Sequence, residues 1–168
     1  QAVTDAKKDI ENLLMISGVA SCENHVDMFS PRYEANPQDK YMLGNLISMF
    51  SASNCLDEDL FVKAVESMHK LEPSHNSAYL LYKLYSQRNQ HTEAIAYMEE
   101  AIASEESDAD TDANYYYELA AYSFKNGNNA KAVQAAQAAV ETSDVVDGKA
   151  YMLIGTIWGG IVCPGNEI

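Results

Sequence analysis

Residues 77–103 read SAYLLYKLYSQRNQHTEAIAYMEEAIA, and residues 115–141 read YYYELAAYSFKNGNNAKAVQAAQAAVE. Laid over one another, Ala78, Leu81, Tyr85, Ala94, Met98 and Ala101 meet Tyr116, Leu119, Ser123, Ala132, Ala136 and Ala139, each 38 positions on. In both stretches the apolar residues recur at helical spacing on either side of a short break. Asn89 marks that break in the first and Gly127 in the second, residues that tolerate the left-handed backbone of a tight turn. A period of this length signals stacked helix pairs, none able to bury its apolar face alone.

Working outward, the same rhythm divides the whole chain. Units are expected at about 4–37, 38–73, 75–108 and 112–146, with an incomplete unit over 148–168. In the first, Ile10, Leu13 and Leu14 form one helical stripe, and a second helix runs from Cys22 to about Ala35 with Val26, Phe29 and Tyr33 on one face. Pro31 is expected to interrupt that helix, either starting a fresh turn with Ser30 as a cap or kinking it. The second unit pairs Tyr41, Leu43, Leu46, Ile47 and Phe50 with Leu60, Phe61, Ala64, Val65 and Met68, across a turn at Ser51–Asn54. Pro73 closes it, 36 residues after Pro37. In the last unit Tyr151, Ile154, Gly155 and Trp158 define a first helix, ended by Gly159 and Gly160. Its second helix is missing, and the chain opens at Gln1 without an initiator Met, so a fragment of a longer protein is expected.

Composition narrows the function classes. The chain carries 25 acids against 11 bases, a net charge of −14. Such a surface repels phosphate backbones, which argues against a nucleic-acid partner. It favours basic peptides, or simply keeps a soluble scaffold dispersed. No unbroken run of about eighteen apolar residues occurs, so no membrane span is expected. No acid, base and nucleophile can be assembled into a catalytic set, and no cofactor motif is present, so an enzyme is not expected.

Several residues carry a family resemblance. Repeats of about 34 residues with the pattern Leu-Gly…Tyr…Gly…Ala…Tyr…Ala…Pro mark the tetratricopeptide family. Tyr151, Ile154, Gly155 and Trp158 fill its first four signature positions in the last unit. Leu119, Ala120, Gly127, Ala132 and Ala139 fill theirs in the fourth, and Leu81, Tyr85, Ala94 and Ala101 in the third. The chain resembles this family from Ser77 onward, less closely from Gln38, and before that only in length and a closing Pro. The resemblance implies an all-α fold, a right-handed superhelix of about four and a half helix pairs. It also implies a concave groove lined by the first helix of each pair, where a peptide or protein segment lies. By position that groove presents Tyr41, Asn45 and Ser48, then Tyr79, Lys83 and Gln87, then Tyr117, Ala121 and Lys125, and finally Met152 and Thr156. The alternative reading of these tyrosines is packing between repeats. The subfamily that clamps a C-terminal carboxylate needs a cation where this chain has Glu118, so that ligand is disfavoured.

The remaining chemistry is sparse. Asp108, Asp110 and Asp112 open like a calcium loop, but its sixth and twelfth positions hold Ala113 and Leu119 instead of Gly and Glu. The expected role is a solvated acidic insertion in which Asp110 or Asp112 caps the next helix. His25, His69, His75 and His91 never stand at i, i+4, so no metal pair is expected. The repeat register places Cys22 and Cys55 at neighbouring inter-helix turns, with Cys163 three units further on. A Cys22–Cys55 bridge and a pair of free buried thiols are both open; the bridge would argue for a periplasmic or secreted setting. The function expected is a non-enzymatic protein- or peptide-binding scaffold. The alternatives are a carbohydrate- or small-ligand-binding module, or a structural docking part that self-associates through its incomplete last repeat.

Overall fold

The computed structural model describes residues 21–162. Every regular element among them is helical, in the antiparallel stacked pairs of an α-α solenoid. The chain divides into two compact units, one ending at Pro73 and the other starting at Ser74. The expected first helix over 4–17, and Cys163, lie outside the described residues.

The first unit holds α1 (Cys22–Ala35), α2 (Lys40–Ala52) and α3 (Asp59–Leu71). Side chains start two of them. Ser21 accepts from the Asn24 amide, and Asp39 accepts from the amides of Tyr41 and Met42, satisfying donors that the helix itself leaves unpaired. Pro31 lies within α1, which runs on through it to Ala35, so no fresh helix starts there under a Ser30 cap. The centre is aromatic: Phe50 is fully buried, stacks on Phe61 at 6.2 Å and meets Phe29 edge-on. His25 packs against the same ring and makes a 2.9 Å hydrogen bond with Ser53. Burial pushes its pKa below the ordinary value, because the charged ring would lose its water. Tyr33 ties α1 to α3 through the Ser67 hydroxyl, 2.9 Å away.

Cys22 and Cys55 form a disulfide with their Cα atoms 5.5 Å apart, joining the start of α1 to the turn after α2. That turn is made by Asn54, whose φ of 54° lies in the left-handed region.

The second unit holds α4 (His75–Gln87), α5 (His91–Ile102), α6 (Ala109–Lys125), α7 (Asn129–Thr142) and α8 (Asp147–Val162), the last two joined by a 3₁₀ turn at Asp144–Val146. Asn89 and Gly127 make the turns inside the two pairs, with φ of 57° and 78°. A reciprocal serine box, Ser74 with Ser77, opens α4 at His75, where the third unit is expected to begin. By contrast α6 starts three residues before its unit is expected, and its cap is Asp108, not Asp110 or Asp112. Asp108 accepts from the Thr111 amide at 2.7 Å, and that hydrogen bond holds its carboxyl below the usual range. Asp112 instead accepts from Ser107, and Asp110 from Ser143. Gly159 and Gly160 do not end α8, which continues to Val162.

Packing in this unit follows the alanine pattern. Ala94, Met98 and Ala101 on α5, and Ala132, Ala136 and Ala139 on α7, are fully buried. Small side chains at these places let each second helix lie close against its first. Across the repeat, Lys131 on α7 pairs with Glu99 on α5, and His91 meets the Tyr122 hydroxyl at 2.6 Å. By length and composition alone, Asp144–Val162 is apolar enough to cross a membrane. The expectation of no candidate span is corrected to that extent: Gly148, Lys149 and Thr156 break the apolar run without lowering the average much. Here the segment buries Ala150 and Ile157 as a repeat helix does.

Opening the disulfide tests how far the first unit depends on it. A loop spanning 33 residues is freed when it is cut. The double variant Cys22→Ser/Cys55→Ser is expected to lose about 2–4 kcal/mol of stability in urea unfolding. An unchanged midpoint would show that the aromatic core alone holds the unit.

Candidate functional site

The first helices of the second unit bring together the residues expected to line a groove. Tyr79 and Lys83 stand one turn apart on α4, and Glu118 faces them from α6. The Tyr79 hydroxyl donates to Glu118 Oε1 at 2.7 Å, and Lys83 Nζ donates to Oε2 at 2.6 Å. Burial works against the Lys83 charge, but the hydrogen bonds and charges of Glu118 and Tyr79 outweigh it and raise its pKa above the ordinary value. The Lys83 ammonium also lies 4.9 Å from the Tyr79 ring centre and 5.5 Å from that of Tyr82. Both side chains of the ion pair keep a third or more of their surface exposed, so its contribution to stability is small.

The tyrosines here are largely structural. Tyr79 stacks on Tyr115 with centroids 4.7 Å apart, and Tyr82 meets Tyr122 edge-on at 5.7 Å. Tyr85 stacks on Tyr97 at 5.5 Å within the α4–α5 pair. Burial, followed by the neighbouring Glu118 carboxylate, pushes the Tyr82 hydroxyl up to about 12. Burial raises Tyr79, Tyr115 and Tyr122 as well. Of the expected contact residues, Tyr79 and Lys83 are therefore engaged with one another's neighbours. Gln87, Lys125 and Met152 are exposed, and Tyr117 is half-buried against the core. Tyr41 and Asn45 stand on α2 of the other unit, the first 60% exposed and the second half-buried.

A second concavity escapes the sequence. Between α5 and α7 runs a groove of about 680 Å³, floored by Tyr116 and Leu119 and walled by Ile102, Ala135 and Ala138. The Glu99–Lys131 pair is part of its lining. The signal that could have found it is the alanine run of α7, where small side chains leave the floor uncovered.

The helical-repeat fold recurs in solved proteins. Two crystal structures of MamA align over 91% and 95% of this chain, covering 85% and 82% of theirs, with TM-scores of 0.61 and 0.63 at 18% and 19% identity. YrrB, described as a TPR protein with an unusual peptide-binding site, aligns over 79% of this chain and 66% of its own, with a TM-score of 0.54 at 19% identity. The chain has the tetratricopeptide-repeat fold. The sequence itself matches no protein-family model and no curated protein.

Two substitutions separate packing from recognition on this face. Tyr79→Ala removes a stacked ring and is expected to cost about 1–2 kcal/mol, whereas Tyr79→Phe keeps the stack and costs under about 1 kcal/mol. Equal losses in chemical unfolding would put the weight on the Glu118 hydrogen bond instead. The raised tyrosine values also fix the sign of the alkaline response. Between pH 10 and about 12 the unfolded chain gives up a proton that folded Tyr82 retains, so stability falls as pH rises through that window. Tyr82→Phe is expected to flatten that fall, which thermal melts across the window would record.

Proposed function

We propose that this chain is a non-enzymatic scaffold that holds a peptide or protein segment along the first-helix face of its repeats. What supports this reading is the exposure found on the first helices of the second unit, where Gln87, Lys125 and Met152 are exposed and Tyr117 is half-buried against the core. Tyr79, Lys83 and Glu118 brace that surface by bonding to one another, which keeps its shape fixed before a partner arrives. A net charge of −14 favours a basic partner segment and makes its capture weaken with added salt. YrrB, whose description includes a peptide-binding site, lends the reading support by fold alone.

The Cys22–Cys55 bridge supports an oxidising, extracytoplasmic compartment, since such bonds persist where thiols are not kept reduced. The α5–α7 groove supplies a second reading, in which the partner lies in that groove instead.

Affinity capture from the native cell's extract distinguishes the two. The double variant Tyr117→Ala/Lys125→Glu is expected to lose at least about tenfold of the partner retained by the wild type. Ala138→Trp, which fills the α5–α7 groove, is expected to retain it. The reverse pattern would move the site to that groove, and no retained protein with any form would remove the scaffold reading.

A further inference from the structure

The two helix pairs of the second unit differ at one matched pair of positions. In the α4–α5 pair Tyr97 stacks on Tyr85 at 5.5 Å. In the α6–α7 pair the same positions, each 38 residues on, are Ala135 and Ser123. Without those rings α7 lies over α6 on small side chains, and Tyr116 and Leu119 are left as the floor of the groove of about 680 Å³ beside α5. Its charged lining residues, Glu99 and Lys131, neutralise one another through a 2.5 Å ion pair. Asn128 and Gln134, both exposed, also line it, and Asn128 Oδ1 already caps α7 by accepting from the Lys131 amide.

Size and chemistry together select an occupant. A helix is about 10–12 Å across with its side chains, so this space would take only roughly one and a half turns of one. An extended peptide would press unpaired backbone groups against Ile102, Leu119, Ala135 and Ala138, whose side chains cannot bond them. A small organic molecule fits, because sites for such ligands hold about 300–1,000 Å³ and are mostly apolar with a few polar groups. Charge narrows the choice further. An anion would find Lys131 already neutralised and would meet the field of a chain with net charge −14. A cation would have to take Glu99 from Lys131. We propose that the α5–α7 groove binds an uncharged, largely apolar small molecule, with Asn128 and Gln134 available to its polar groups and Glu99 turning anions away by holding Lys131. The site is separate from the scaffold face, and the proposal does not rest on a peptide lying there.

Two dyes that share one ring system test this on the whole protein. N-phenyl-1-naphthylamine is uncharged, and 8-anilinonaphthalene-1-sulfonate adds a sulfonate to it. The uncharged dye is expected to give a saturable rise in emission, with NMR amide shifts gathered at Ile102, Leu119, Ala135 and Ala138. The sulfonate is expected to bind at least about tenfold more weakly, and Glu99→Gln, which leaves Lys131 unpaired, to narrow that gap to under about threefold. Ala138→Trp is expected to weaken the uncharged dye at least about tenfold. A thermal melt shows whether that variant folds; if it does not, the amide shifts of the wild type decide. No saturable binding, shifts gathered around Trp158 instead, or equal binding of the two dyes by the wild type would overturn the proposal. So would unchanged binding by folded Ala138→Trp. Tyr117→Ala/Lys125→Glu is expected to bind the dye as the wild type does, so this site and the scaffold face fail separately.

Discussion

Contact between an alanine-striped second helix and the first helix beside it is the interaction on which the second unit depends. A helix of twelve to seventeen residues is marginal alone in water, and most of its stability comes from covering one apolar stripe. Here the cover is mutual. The fully buried Ala94, Met98 and Ala101 serve α4 as Ala132, Ala136 and Ala139 serve α6. Because alanine offers little area, each contact gains its energy from close approach and from helix propensity more than from large buried side chains. The first unit solves the same problem differently, with a cluster of Phe29, Phe50 and Phe61 and a disulfide.

This difference explains what was legible in the sequence. The alanine stripes repeat with a fixed spacing, so the helix pairs, their turns at Asn89 and Gly127, and the fold could be read from residue order. Helix ends could not, because they are decided by which side chain reaches an unpaired amide. Ser74 and Ser77 satisfy one another's backbone in a box without the usual Glu, and Asp108 takes a role that Asp110 and Asp112 could equally have filled. Gly159 and Gly160 read as a stop, yet helix hydrogen bonding carries through them.

The first-helix face shows where sequence reasoning stops for a different reason. Tyr79, Lys83 and Glu118 come from positions up to 39 residues apart, and nothing local announces that they meet. Position within a repeat says which way a side chain faces. It does not say whether a neighbour already occupies it. Of the tyrosines read as contact residues, Tyr79 is mortar between repeats, stacked on Tyr115 at 4.7 Å, whereas Tyr117 is half-buried and Tyr41 stands exposed. The groove between α5 and α7 was missed for the converse reason: only the small side chains of the α7 alanine run mark it, and they name no contact residue.

Bracing and openness are linked in such a surface. A chain with so many acids would repel itself along a face where carboxylates stood unpaired. Glu118 instead lies against Lys83 and the Tyr79 hydroxyl, so its charge is balanced within the surface although a third of the side chain stays exposed. What remains outward is Gln87, Lys125 and Met152, two polar groups and one flexible apolar one. Methionine adapts to irregular partners because its chain is unbranched and its sulfur polarisable. On the proposed scaffold reading, an aromatic wall that holds its own shape would leave the ligand's sequence to be read by those few positions.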